Sequence, residues 1–409
     1  MGTRKALEGI RVIDLSQFEA GTACTETLAW LGADVIKIER PVGGEQGRVS
    51  SRERPDRDAM YFILLNANKR SVTLNLAEER GKQLLRDLIG TADVFIENFA
   101  PGSIERLGFG PEDVQAINPR IVYARIKGFA PGSPFESFLV YDSVAQAAGG
   151  SVSITGESME RTPVKPGPNM ADTGSGLHCA IGILAALYDR EQTGMGQVVE
   201  IAMQDAVINF CRVAYAQAFR HGQAAKRLGT KNQMMTSAPS GLYRCKPGGP
   251  NDYCFIYGSR AGEAGNRQWT RLLEAIGRND LVGDPRFASP ELRYEHYEIV
   301  DAVITEWTST KSKHEVMEIL GAASVPVGAV FDTIELQNDA FLREHGMFVT
   351  VDHPDWGPIT VPGSPIRLSR SPVEVLPAPL LGQHNRDVYG GVLGLSDQAI
   401  DALKSDGVL

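Results

Sequence analysis

Asp172 lies in the run Pro168-Asn169-Met170-Ala171-Asp172-Thr173-Gly174-Ser175-Gly176, directly before the apolar stretch Leu177-His178-Cys179-Ala180-Ile181-Gly182-Ile183-Leu184-Ala185-Ala186-Leu187-Tyr188. A carboxylate at the N-cap of so apolar a helix is held by free backbone N–H groups and kept ionised by the positive end of the helix dipole. Held in that way it can act as a nucleophile toward a bound electrophile. An aspartate in this place is also an ordinary cap, so its surroundings must decide between the two readings. The common catalytic patterns are missing: there is no G-x-x-x-x-G-K-S/T, no G-x-G-x-x-G after the first strand, no H-E-x-x-H and no G-x-S-x-G. The histidines are scattered at 178, 221, 296, 314, 345, 353 and 384, which argues against a metal site built from sequence-local ligands. Nucleotide hydrolysis, zinc chemistry and serine hydrolysis are thereby disfavoured. A carboxylate nucleophile remains.

The elements that must position this residue alternate in type. Ile10–Leu15 reads as a short strand, Cys24 to Leu31 as a helix closed by Gly32-Ala33-Asp34, and Val35–Glu39 as a second strand. Strand patterns recur at Ser71–Leu76, Asp93–Glu97 and Ile121–Ile126, with a helix over Glu78 to Ile89. Gly194-Met195-Gly196 turns the helix after Asp172 into strand Gln197–Met203, and another helix starts near Gln204. Strands alternating with helices predict an α/β fold with a parallel sheet and right-handed crossovers. Residues from about 226 to 252, rich in Gly, Pro, Ser and Asn, read as a linker. A smaller domain follows, with helices at Trp269–Gly277 and Tyr297–Trp307, and the chain beyond about 340 is Pro-rich and strand-like up to Leu381.

With 409 residues the chain exceeds one typical domain, so two domains and a large buried core are expected. A content of 43% hydrophobic and 22% charged residues is that of a globular protein. The net charge of −9 provides no broad positive field, which excludes general nucleic-acid or anionic-membrane binding as the main activity. Five cysteines without a C-x-x-C pair read as reduced, mostly buried thiols. The start of the chain shows no signal-peptide pattern, and the longest apolar runs read as too interrupted to span a bilayer. A cytoplasmic protein is expected.

Blocks along nearly the whole chain resemble the class III CoA-transferases, the family of formyl-CoA:oxalate and crotonobetainyl-CoA:carnitine transferases. They are Leu7-Glu8-Gly9-Ile10-Arg11-Val12-Ile13-Asp14-Leu15, Gly32-Ala33-Asp34-Val35-Ile36-Lys37-Ile38-Glu39-Arg40-Pro41, Asn68-Lys69-Arg70-Ser71-Val72-Thr73-Leu74, Glu97-Asn98-Phe99-Ala100-Pro101-Gly102, Thr193-Gly194-Met195-Gly196-Gln197 and Leu381-Gly382-Gln383-His384. Met203-Gln204-Asp205-Ala206-Val207, Asn209-Phe210-Cys211-Arg212-Val213 and Ala145-Gln146-Ala147-Ala148-Gly149-Gly150 look most like the formyl-CoA:oxalate branch. The resemblance implies a Rossmann-like large domain formed by both chain ends, a smaller α/β domain, and an interlocked, ring-like homodimer. The expected limits are 1–225 for the large CoA-binding and catalytic domain, 226–340 for the linker and small domain, and 341–409 for a segment returning to the large domain.

By the same resemblance the chain moves CoA reversibly from a formyl-, acetyl- or succinyl-CoA type donor to oxalate or another small carboxylic acid. No permanently bound cofactor and no metal are implied; coenzyme A enters as substrate. Asp172 matches the family nucleophile, which passes through a mixed anhydride and an aspartyl-CoA thioester. Glu19, Ala20 and Gly21 match the segment supplying a backbone donor to the developing oxyanion, and Tyr141 matches an active-site tyrosine. Arg40 and Arg106 match CoA-contacting positions, Leu74 and Phe99 the adenine and pantetheine sides, and Asn98 belongs to the same block. His384 falls in a family block without an assigned role. Three departures bear on substrate choice: Glu19 where the formyl-CoA:oxalate enzymes carry Gln, Leu139 where they carry Lys, and Asn232–Gly241 in place of a run of glycines. Less positive charge and one more carboxylate disfavour a small dianion such as oxalate. An α-methylacyl-CoA racemase on the same scaffold is the alternative enzyme, but its His-Asp pair reads Tyr141-Asp142 here. A CoA-binding protein without turnover is the other alternative, and it would have no need of Asp172.

Overall fold

The computed structural model describes residues 4–231, 237–258, 262–372 and 374–409. Six strands form a parallel sheet in the order β3-β2-β1-β4-β5-β6: β1 Arg11–Asp14, β2 Asp34–Glu39, β3 Arg70–Thr73, β4 Val94–Glu97, β5 Val122–Lys127 and β6 Val198–Ala202. Val94, Phe95 and Ile96 in β4 are fully buried, as are Val12 and Ile13 in β1, because a parallel sheet is covered on both faces. The strand order reverses between β1 and β4. In doubly wound sheets of this order the crevice outside the carboxyl ends of those two strands is the ligand site.

Two helices cross near that crevice. The first, Ala20–Trp30, starts four residues before the sequence pattern indicated, since Ala20, Gly21 and Thr22 are buried without forming an apolar stripe. The second, Met170–Thr193, is stopped by left-handed Gly194, whose N–H returns to the Arg190 carbonyl. The two pack together, and a Cβ on Gly176 would lie 2.5 Å from the Ala20 carbonyl oxygen. Only glycine permits that approach. The N-cap of the long helix is Asn169, so Asp172 is its third residue and not the cap that the sequence indicated. By length and composition this helix is able to cross a membrane, contrary to the expectation from interrupted runs. Half of its apolar window is nevertheless buried within the fold, against the Ala20–Trp30 helix, β5 and β6, as in a core helix.

The chain divides into two compact units: Met1–Ser151, Pro166–Phe210 and Ala340–Leu409 in one, Val152–Lys165 and Cys211–Asp339 in the other. Residues 152–165 and 211–225 thus fall in the smaller unit, whereas composition alone had indicated a change near 226. In the larger unit the C-terminal segment lines the β3 edge. The Ser71 N–H donates to His384 Nδ1 (3.2 Å), the His384 N–H to the Ser71 carbonyl (2.9 Å), and the Thr73 N–H to Asn385 Oδ1 (2.9 Å). His384 therefore has a structural task. It completes the hydrogen bonding of an edge strand.

The smaller unit has an antiparallel sheet of β7 Ser240–Arg244, β8 Tyr253–Tyr257 and β9 Val327–Ala329, packed with helices Gly262–Ala275, Tyr297–Thr308 and Lys313–Ala322 around Tyr243, Ile256, Trp269 and Leu273. β7 lies within the stretch that read as linker. β10 Phe348–His353 and β11 Gly357–Pro362 form a hairpin in the larger unit. All five cysteines are free and buried.

Candidate active site

The turn after β1 is clamped from three sides. The fully buried Asp14 carboxylate accepts from the Ser16 N–H (2.8 Å) and from Thr25 Oγ1 (2.7 Å), with Lys69 Nζ at 3.3 Å. Burial alone would raise its pKa, but Lys69, Lys37 and the hydroxyls of Ser16 and Thr25, both of which donate to it, hold it below the ordinary carboxylate range. Asn98, after β4, spans the Gln17 peptide: its Oδ1 accepts from the Gln17 N–H and its Nδ2 donates to the Gln17 carbonyl, both at 2.8 Å. Phe18 takes a left-handed φ of 58°, and its N–H donates to Glu45 Oε2 (3.2 Å). Such a conformation persists only where the surroundings fix it. Its effect is to deliver Glu19 and the start of the Ala20–Trp30 helix to one spot.

Glu19 is 7% exposed. Its two oxygens accept from Thr173 Oγ1 (2.7 Å) and Asn169 Nδ2 (2.7 Å), the residues on either side of the Met170–Asp172 turn. The opposite support comes from Asp142, which is buried at the start of the helix Asp142–Ala148. Its Oδ1 accepts from the N–H groups of Ala171 (3.0 Å) and Asp172 (3.3 Å), and its Oδ2 from Gln146 Nε2 (2.7 Å). Gln146 Nε2 also donates to the Pro168 carbonyl at 3.0 Å. The cap of the long helix is thus a side chain about thirty residues upstream, satisfying orphan donors that a local cap would otherwise take. Burial, then the carboxylates of Glu19, Asp172, Glu45 and Asp142, raise the pKa of the Tyr61 hydroxyl, which therefore stays protonated.

A cavity of about 320 Å³ opens here, lined by the turn after β1, the segment after β4, the end of β5, residues 138–141, Asp172 and Met203. Gly128 at the end of β5 admits Val140, whose Cγ2 would lie 2.2 Å from an added Cβ, and this seats the 138–141 segment. Of the residues singled out from sequence, Glu19, Ala20, Asn98, Phe99, Tyr141 and Asp172 line the cavity together. Arg106 does not, but it donates to Oγ of Ser103, which does (2.9 Å). Arg40 lies outside the lining, on the Gly44 carbonyl (3.2 Å). Leu74 is 1% exposed, with its side chain packed in the core, and it does not line the cavity. Asn98 lines the cavity and uses both ends of its amide on Gln17, which shapes the turn. Asn232 to Thr236, the first half of the stretch matched to the glycine run, lie outside the described residues. Asn169, Thr173, Tyr61 and Lys127 had no sequence reading as site residues, and Asp142 entered only through the comparison with the racemase pair. Gln146 was visible only as part of a family block. Among the described residues no cluster of His, Cys, Asp or Glu could hold a metal ion.

Two helix N-termini, a carboxylate pair and a cavity at the reversal of strand order are an arrangement for attack on a carbonyl with stabilisation of the resulting oxyanion. Residues 7–385 match the model of the family described as CoA-transferase family III. A formyl-CoA:oxalate CoA-transferase of Streptomyces avermitilis is 46% identical over 99% of this chain and 100% of its own length. One from Rhodopseudomonas palustris is 40% identical over 98% and 97%. Among solved structures, a CAIB/BAIF family protein from Brucella suis matches with a TM-score of 0.81 at 30% identity, covering 94% of this chain and 98% of that one. Rv3272 from Mycobacterium tuberculosis matches with a TM-score of 0.79 at 29% identity, covering 94% and 99%. The chain belongs to CoA-transferase family III and is an enzyme of CoA transfer.

Proposed function

We propose that this enzyme carries CoA from an acyl-CoA donor to a carboxylic acid on the side chain of Asp172. The single observation behind the reading is that Asp172 shares one cavity with Glu19 and with the N-terminus of the Ala20–Trp30 helix. The Asp172 carboxylate attacks the thioester carbonyl. The negative charge that develops on oxygen meets the Ala20 N–H, one of the helix's first donors, which have no acceptor within the helix. CoA leaves as the thiolate and attacks the Asp172 side of the mixed anhydride, giving the aspartyl-CoA thioester and the free donor acid. The acceptor acid then repeats these steps in reverse.

A carboxylate is a weak nucleophile in water. Fixing its backbone through Asp142 while Glu19 holds the flanking residues supplies the orientation that makes it competent. Tyr141, exposed at the cavity wall with its ring edge-on to Phe18 at 6.3 Å, borders the path of the pantetheine arm beside Phe99. Arg106 and Arg40, outside the cavity, are the cations we assign to the CoA phosphates. Formyl-, acetyl- or succinyl-CoA as donor, oxalate or another small acid as acceptor, an interlocked homodimer and a cytoplasmic setting complete the proposal. The racemase alternative lacks its second base, because Tyr141 stands where a histidine would be needed and Asp142 is occupied in capping.

The test is intact-protein mass spectrometry after mixing with formyl-, acetyl- and succinyl-CoA in turn without acceptor, followed by hydroxylamine or borohydride treatment and peptide mapping. A CoA-sized adduct on the Asp172 peptide supports the reading. No adduct, with deuterium exchange at the α-carbon of a branched acyl-CoA, would replace it by the racemase.

A further inference from the structure

We infer that the acid best served by this cavity is a monocarboxylate with an uncharged, apolar remainder, and that a second carboxylate on the acid is selected against. This rests on the proposed transfer through Asp172. Glu19 brings a buried carboxylate into the lining, and its bonds to Thr173 and Asn169 prevent it from turning away. Among the described lining residues Lys127 is the one cation. Its ammonium lies 2.8 Å from a Glu97 oxygen and donates to the Phe99 carbonyl at 2.8 Å, so its charge is already met. The remaining wall is mixed: Phe18, Ile126, Phe138, Leu139, Val140 and Met203 are apolar, and Gln17, Gln46, Asn98 and Ser103 are polar but carry no charge.

The chemistry of the second half-reaction turns this lining into a selection rule. The acceptor carboxylate attacks the Asp172 thioester carbon, the C–S bond breaks, and CoA leaves with the electron pair. The acceptor's charge has thereby passed to sulfur. The thiolate then attacks the acceptor carbonyl, the anhydride C–O bond on that side breaks, and Asp172 recovers its carboxylate. A monocarboxylate surrenders its only charge in the first of these steps. A dicarboxylate keeps a second charge in the cavity throughout, facing Glu19 with no unpaired cation among the described lining residues to answer it. An apolar substituent instead covers apolar wall.

The experiment charges the wild-type protein with each of the three donors and offers butyrate, phenylacetate, oxalate and succinate at equal concentration, reading the new acyl-CoA by mass. At least one monocarboxylate should exceed both dicarboxylates by about 10-fold or more in kcat/KM. The Glu19→Gln, Leu139→Lys double variant should shift that ratio toward oxalate by a similar factor; Leu139 is 69% exposed and tolerates the change. Oxalate or succinate equalling both monocarboxylates in the wild type, or a folded double variant with an unmoved ratio, overturns the inference. If no donor forms an adduct on Asp172, the covalent reading fails instead, and this one with it.

Discussion

Removing the Asp142 carboxylate should separate the stability of the long helix from the placement of its nucleophile. In Asp142→Ala the N–H groups of Ala171 and Asp172 lose their acceptor, and Gln146 Nε2 loses one of its two. Ala171 is fully buried. Each orphaned buried donor costs about 1–3 kcal/mol, and water from the neighbouring cavity recovers part of this, so a loss of about 2–4 kcal/mol is expected. Asp142→Asn keeps an acceptor oxygen for the two N–H groups. Its amide then faces Gln146 Nε2, but the Gln146 Oε1, which has no hydrogen-bond partner among the described residues, can turn to meet it. That variant should lose about 1 kcal/mol, the difference between a charged and a neutral acceptor. Urea denaturation gives the stabilities, and steady-state kinetics give the second readout. A displacement of Asp172 near 1 Å lowers kcat by up to about 100-fold while KM for acyl-CoA changes little, with Asn much closer than Ala to wild type. Equal stability and equal kcat in all three proteins would refute the capping argument.

Asn98→Ala removes both bonds to the Gln17 peptide and should lower kcat, through misplacement of Glu19 and Ala20, more than it raises KM for acyl-CoA; a pure KM effect would make Asn98 a ligand contact instead. Arg48 is 1% exposed, forks onto Glu39 at 2.6 and 2.7 Å, reaches Asp58 and lies 3.8 Å from the Phe62 ring centroid. Arg48→Met leaves those carboxylates unpaired and should cost about 3–5 kcal/mol in urea denaturation, and a loss below about 1 kcal/mol would contradict the account. His384 accepts the Ser71 N–H through an unprotonated Nδ1, and burial, then Arg70, lower its pKa. Its stabilisation is therefore complete above the unfolded value near 6.5 and is lost as pH falls through the lower folded value. The fall in urea midpoint between about pH 7 and 5 should be shallower in His384→Ala, and parallel profiles would contradict the assignment.

What the sequence made legible was whatever depends on local pattern. Continuous apolar runs such as Val94-Phe95-Ile96 reported buried parallel strands, and Thr193-Gly194 reported the end of the long helix. The catalytic candidate itself stood out because an isolated carboxylate heads an apolar helix. Local pattern could not report that the helix is capped from Asp142, that Asn98 is turned onto a backbone peptide, or that Leu74 faces the core. Each depends on a partner some thirty to eighty residues away, or on which face of the sheet a side chain takes. β7 was missed for a different reason: Ser240 and Gly241 are weak strand formers, and pairing with β8 overrides their propensity.

The most direct test of the central claim follows heavy oxygen. An acceptor acid labelled at both carboxylate oxygens is turned over with an unlabelled acyl-CoA, and the Asp172 peptide is then analysed by mass. If Asp172 carries CoA through an anhydride, one oxygen of each acceptor molecule stays on its carboxylate, so label accumulates on Asp172 and appears in the donor acid released by later turnovers. Turnover with no label on Asp172 would contradict the mechanism.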